Sequence, residues 1–212
     1  MTNPDLTLIA VLLDRSGSMH SIKSDTEGGF DAFIAEQRAQ PGAAEVTLAQ
    51  FDREYQRVYT ARPIAEVPPL ELRPRGSTAL LDSIGRFTTE IGEELAARAE
   101  SERPGHVIIV VVTDGHENAS SDWTLPAVKD VITRQEQVYG WDYVFLGANM
   151  DAVSVGRHMG FAADKSITYD AKGEYVEAAY VVTSDYVSRK RRADAGVPVH
   201  GFTDAQRAVT RE

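Results

Sequence analysis

The chain has 212 residues, of which 42% are hydrophobic and 25% charged, the length of one larger domain or at most two small ones. A formal net charge of −10 argues against a nucleic-acid footprint. No cysteine is present, which excludes disulfides and thiolate metal sites and fits a reducing compartment.

The opening residues "MTNPDLTLIA" lack the basic stretch and cleavage site of a signal peptide, so a cytoplasmic protein is expected. Residues 6–14, "LTLIAVLLD", form an apolar run closed by an Asp and predict a buried strand. Ser24 with Glu27 three residues on predicts a capping box opening a helix through "GGFDAFIAEQRA". Residues 44–52, "AEVTLAQFD", read as a second buried strand. The alternating "YQRVYTA" (55–61) pairs with it as an edge hairpin across "DRE". Between 79 and 98, Leu80, Leu81, Ile84, Phe87, Ile91 and Leu95 recur at helical spacing.

The run "HVIIVVVTD" (106–114) is the most apolar strand candidate, and its core at 107–112 is far too short for a membrane span. A helix over 125–137, a strand over 142–148, a short helix over 151–160 and an edge strand over 165–169 follow. The segment 174–191 places Val176, Ala179, Tyr180, Thr183 and Val187 on one stripe. Its end, "RKRR" (189–192), is expected to be a solvated helix terminus, where cations suit the dipole. Residues 1–192 are expected to form the domain and 193–212 a partly ordered tail.

Strands alternating with helices predict an α/β fold with a mostly parallel sheet and right-handed crossovers. In such sheets ligands bind at the carboxyl ends of the strands. The polar clusters of this sequence fall there. Asp14, Ser16 and Ser18 stand at alternate positions in "DRSGSM", where Gly17 is expected to permit a sharp turn. Thr78 precedes the 79–98 helix in "RGSTALLDSI", and Asp114 closes the third strand in "TDGHEN". Hydroxyls with carboxylates are hard oxygen donors, which suit Mg²⁺ or Mn²⁺ and suit Zn²⁺ less well. The five histidines show none of the spacings of a zinc enzyme.

Asp14-x-Ser16-x-Ser18, then Thr78, then Asp114 resembles the metal-ion-dependent adhesion site of von Willebrand factor A domains. The order of the three pieces and the "RGSTALLDSI" context agree with that family over about residues 5–190. The resemblance implies a doubly wound sheet with helices on both faces and one antiparallel edge strand, which the "FDREYQ" hairpin matches. It implies that Ser16 and Ser18 bind the metal directly and Thr78 directly or through water. Asp14 and Asp114 then act through water or through the serine hydroxyls. It further implies a non-enzymatic domain that binds a Glu or Asp of a partner protein through Mg²⁺ or Mn²⁺, with Ca²⁺ less suited. A bacterial or phage protein is expected.

Each residue also has a plain structural reading. Asp14 suits a turn cap, Thr78 a helix cap and Asp114-Gly115 a turn. His116 and Glu117 read as an exposed loop pair beside the site, Trp123 and Trp141 as packing residues, and Asp52 as a hairpin-turn residue. Two other functions compete. A Mg²⁺-dependent phosphoryl hydrolase needs a second carboxylate two residues after the nucleophilic Asp, where this chain has Ser16. A structural role in a larger complex needs a metal site without an acidic ligand.

Overall fold

The computed structural model describes residues 2–194 and 197–212. Twelve main elements follow in chain order: β1 (Asn3–Asp14), α1 (Lys23–Ala39), β2 (Ala43–Phe51), β3 (Tyr55–Pro63), α2 (Leu80–Ala97) and β4 (Pro104–Thr113). Then come α3 (Leu125–Tyr139), β5 (Asp142–Ala148), α4 (Ala152–Met159), β6 (Ser166–Tyr169), α5 (Gly173–Arg192) and α6 (Asp204–Ala208). The strands form one sheet in the order β3-β2-β1-β4-β5-β6. All neighbours are parallel except β2 and β3, which pair antiparallel. This is the doubly wound sheet that the sequence resemblance implied.

The near-continuous apolar strands are explained by burial on both faces. Successive side chains of a strand point to opposite faces. Ile9, Val11 and Leu13 of β1 join one core with Phe30, Phe33 and Ile34 of α1 and Val176, Ala179 and Val187 of α5. Leu8, Ala10 and Leu12 join the other, with Leu80, Ile84, Phe87 and Ile91 of α2 and Val128 and Ile132 of α3. Trp141 packs in this second layer, stacked on Tyr143. Trp123 lies on α2 where Gly85 has no side chain; a Cβ at Gly85 would stand 2.0 Å from the indole. Among the described residues no helix is long and apolar enough to cross a membrane.

Strand order reverses at β1. The chain leaves β1 for β2 on one side and later places β4 on the other. That reversal opens a crevice beyond the carboxyl ends of β1 and β4, where open α/β sheets bind ligands. Leu13 pairs with Val112, so Asp14 and Thr113 emerge side by side at that crevice.

Two expectations are corrected. Ser24 does not cap α1: a 3-10 turn over Gly17–Ile22 runs into the helix, Ile22 is the cap residue and it makes no side-chain cap bond. Glu27 instead accepts from Lys23 Nζ and from the Leu72 amide at 2.8 Å. The "RKRR" segment is not uniformly solvated, because Lys190 and Arg191 are buried. Lys190 pairs with Asp142 at 2.8 Å, and Arg191 donates to the carbonyls of Gln37, Pro41 and Gly42.

The C-terminal segment, where Ala, Pro and Gly suggested partial order, returns over the sheet. Phe202 packs against Tyr186 with ring centroids 5.6 Å apart. Thr203 and Gln206 form a capping box on α6, and buried Thr210 donates to the Thr168 carbonyl at 2.8 Å. The expectation for residues 195–196 lies outside the described residues.

Candidate metal site

Three loops meet at the crevice. The first leaves β1 at Asp14, whose Oδ1 accepts from the Ser16 amide at 2.6 Å. That turn is the local one that Asp favours through its own side chain. The second loop, residues 73–79, is joined to the first by backbone. Arg75 N–H donates to the Arg15 carbonyl at 2.8 Å, and Gly17 N–H to the Gly76 carbonyl at 3.1 Å. The left-handed residue here is Gly76, at φ 69°. The sharp turn expected of Gly17 therefore falls on Gly76, and Gly17 serves close approach, since its Cβ would lie 3.4 Å from the Gly76 oxygen. The third loop leaves β4 at Thr113, whose hydroxyl donates to Asp14 Oδ2 at 2.6 Å.

These loops bring Asp14, Ser16, Ser18, Thr78 and Asp114 together. Ser16 Oγ and Ser18 Oγ are 3.1 Å apart, and the Ser18 hydroxyl donates to Asp114 Oδ1 at 2.7 Å. Gly115 leaves the middle of the cluster open. A Cβ built on it would lie 2.8 Å from Thr78 Oγ1, 3.5 Å from Ser18 Oγ and 3.6 Å from Asp14 Oδ2. Asp14, Ser16 and Thr78 are buried, whereas Ser18 is exposed and Asp114 half-buried. The cluster thus has a buried floor and an open lip.

Its electrostatics are those of an anionic hollow. Burial pushes the Asp14 carboxyl up to about 6, against hydrogen bonds from Thr113 and Ser16 that favour the charged form. Burial also raises Asp114, against the Ser18 hydrogen bond. Neither carboxylate has a basic partner among the described residues. Arg15, next in sequence to Asp14, turns away to Asp52 and Gln56. A cation placed among these oxygens would relieve the cost of the buried Asp14 charge and of the half-buried Asp114 charge.

The donor set therefore fits a hard divalent ion: three hydroxyls, two carboxylates and a cradle that any larger residue at 115 would fill. Among the described residues no group of three or more His, Cys, Asp or Glu side chains is arranged to hold a metal.

The structural readings of single residues resolve differently. Thr78 does not cap α2 with its side chain, and the helix starts after Ala79 with no side-chain cap. Glu117 does that work from the third loop, accepting from the Leu81 amide at 2.9 Å. It also accepts from the Ala119 and Ser120 amides and the Ser120 hydroxyl, which outweigh burial and hold its carboxyl below the ordinary value. Glu117 is thus half-buried and engaged, while His116 is exposed. Asn118 clasps Thr78, with Oδ1 on its amide at 2.9 Å and N–H on its carbonyl at 3.1 Å.

Asp52 is more than a turn residue. It accepts from Arg15 Nε at 2.9 Å, Arg75 Nε at 2.8 Å and the Glu54 amide at 2.7 Å. Its carbonyl accepts from Ala79 N–H at 2.9 Å. It ties both of these candidate-site loops to the β2–β3 hairpin. The only sequence signal was an Asp ending a strand with arginines nearby, and nothing in the spacing selects these partners.

Neither family models nor curated proteins match the sequence. Solved structures do match in fold. Proximal thread matrix protein 1 from the mussel byssus, with a zinc-occupied metal-ion-dependent adhesion site, is 14% identical with a TM-score of 0.60, over 87% of this chain and 46% of that one. A von Willebrand factor type A protein from Catenulispora acidiphila is 12% identical with a TM-score of 0.60, over 86% of this chain and 42% of that one. The pilus adhesin SpaC from Lactobacillus rhamnosus GG, in its open conformation, is 12% identical with a TM-score of 0.64, over 87% of this chain and 30% of that one. The chain spans less than half the length of each of these proteins. Its strand order, its one antiparallel edge strand and these neighbours together establish that the chain has the von Willebrand factor type A fold.

Proposed function

We propose that the cluster is a divalent-metal site through which the domain binds an acidic side chain of a partner protein. The observation that carries this reading is the convergence of three hydroxyls and two carboxylates around the space left by Gly115. Ser16 and Ser18 would hold the metal through their hydroxyl oxygens, with Thr78 bound directly or through water. Asp114 would orient the Ser18 hydroxyl, to which it is already bonded, and Asp14 would hold the first loop through the Ser16 amide. A metal bound by hydroxyls keeps much of its charge and supplies a position for an anionic oxygen.

The hard donors favour Mg²⁺ or Mn²⁺. The small number of carboxylates disfavours Ca²⁺, which takes more oxygen ligands. A zinc-occupied site in a protein of the same fold makes Zn²⁺ a necessary arm of any titration. We read the domain as a binding module and not an enzyme. Two residues after Asp14 stands Ser16, where aspartyl-phosphate chemistry uses a carboxylate.

The test is calorimetric titration with Mn²⁺, Mg²⁺ and Zn²⁺ of the wild type, Ser16→Ala and Asp114→Ala, each variant first shown to be folded. Saturable binding in the wild type that both substitutions abolish is expected. Heat that neither substitution changes would overturn the site.

A further inference from the structure

The candidate site lies in a protein of net charge −10, yet the chain beside it is rich in arginine. Arg53 stands in the β2–β3 turn, and Arg73 and Arg75 in the loop that carries Thr78. The turn and the loop touch, since a Cβ at Gly76 would lie 4.0 Å from Arg53 Cγ. Gly76 in turn accepts from the amide of Gly17, between the two candidate serines.

Arg53 differs from its neighbours. Arg75 is committed to Asp52 and Glu54, and Arg73 to Glu71. Arg53 is exposed and has no carboxylate partner among the described residues. It also lines two hollows beside the site. One, of about 400 Å³, is formed with Asp52, Glu54, Arg75 and Gly76, and both of its acids are held by Arg75. The other, of about 350 Å³, runs between Ala79, which follows Thr78, and the aromatic walls Tyr55 and Trp123.

The acids facing the second hollow are engaged. Glu90 is held by Arg57 and Arg86, Asp82 accepts from the amides of residues 121–123, and Asp122 accepts from the Ser121 hydroxyl. Arg86 lies over the Tyr55 ring, its guanidinium carbon 4.4 Å from the centroid. A cation left unpaired beside two hollows and next to a metal-binding loop is placed for an anion carried by whatever occupies the site.

We infer that Arg53 is a second anchor, and that the partner is a protein segment with two carboxylates, one for the metal and one for Arg53. The inference rests on the metal-site reading above. Arg53 sets which acidic segments bind and leaves the metal itself to the five residues of the cluster. An exposed charge pair of this kind is worth up to about fivefold in affinity.

The probes are synthetic peptides: acetyl-Gly-Glu-Gly-amide, and a set with two Glu separated by one to four Gly. Each is titrated in saturating Mg²⁺ into the ¹⁵N-labelled full chain, and amide shifts give the dissociation constant. At least one two-Glu peptide is expected to bind about fivefold tighter than the single-Glu peptide. Arg53→Gln is expected to erase that gap. Arg134→Gln, an equal charge change on exposed α3 surface, is expected to keep it. No gap at any spacing, or a gap that survives Arg53→Gln, overturns the second anchor while Mg²⁺-dependent binding of the single-Glu peptide stands. Peptides that bind neither with Mg²⁺ nor with chelator bring down the metal-site reading and the second anchor together.

Discussion

Arg15 Nε donates to Asp52 Oδ2 at 2.9 Å, with the two side chains only 7% and 3% exposed. Arg15 belongs to the loop that carries Ser16 and Ser18, and Asp52 to the hairpin that also receives Arg75. One buried carboxylate therefore sets the relative position of two loops of the candidate site. Asp52→Asn leaves the Arg15 charge buried without its counter-ion and is expected to cost about 3 kcal/mol. Arg75→Gln removes a partner that is 58% exposed, and its expected cost is below about 1 kcal/mol. Urea denaturation at constant slope measures both. Equal, small losses would show that the pair does not hold the loops.

A substitution at Gly115 is expected to separate metal binding at the proposed site from folding. An added methyl group would stand 2.8 Å from Thr78 Oγ1, inside the space among the site oxygens. Gly115 has no left-handed backbone, so Ala is tolerated conformationally. Gly115→Ala is therefore expected to lower Mn²⁺ affinity about tenfold or more, on the scale seen when groups around a metal are displaced. Calorimetry beside a thermal melt checks this. A melt as cooperative as that of the wild type, with metal affinity unchanged, would place the ion elsewhere.

The strands were readable because both of their faces are buried. Runs such as "VIIVVV" admit few other readings, and β5 begins and ends where the pattern placed it. The α2 stripe was equally clear, since Leu80, Ile84, Phe87 and Ile91 all reach one core. The order Asp14, Ser16, Ser18, Thr78, Asp114 was visible as a pattern, and the structure gathers those side chains at one crevice. What escaped depends on contacts between distant segments. The start of α1 is set by a 3-10 turn and not by Ser24. Arg15 finds Asp52 across 37 residues, and burial of Lys190 requires Asp142 and a returning C-terminal segment. Charge pattern along the chain carries no information on such pairings.

Glu117 lies three residues after Asp114, yet its carboxylate serves the start of α2. Glu117→Ala leaves the Leu81 amide and the 119–120 turn without their acceptor. The expected loss of stability is about 1–2 kcal/mol, the range for a lost helix cap. Mn²⁺ affinity is expected to change far less than in Asp114→Ala. A collapse of metal binding with stability unchanged would instead make Glu117 part of the metal's surroundings.

At the opposite end of the sheet, Asp142 accepts from Lys190 at 2.8 Å, from Tyr186 at 2.8 Å and from Lys165. Burial pushes its carboxyl up, but Lys165 and Lys190 together outweigh that and hold it below the ordinary 3.8. His106 lies close by, bonded through Nε2 to the Ala193 carbonyl at 3.0 Å. Burial lowers its ring below the ordinary 6.5, helped by the Lys190 charge. Both groups have depressed values in the fold, so the unfolded chain binds the proton more readily. The stability that these two groups contribute is therefore full above 6.5, begins to fall as His106 meets acid, and falls again below 3.8 as Asp142 is titrated. Urea denaturation between pH 8 and 3 of the wild type beside each variant is expected to show this decline as the difference between them, because the raised Asp14 carboxyl contributes the opposite slope below about 6. His106→Gln should remove the part that begins at 6.5, and Asp142→Asn the part below 3.8. A stability that rises on acidification through 6.5 in the wild type alone would reverse the sign assigned to His106.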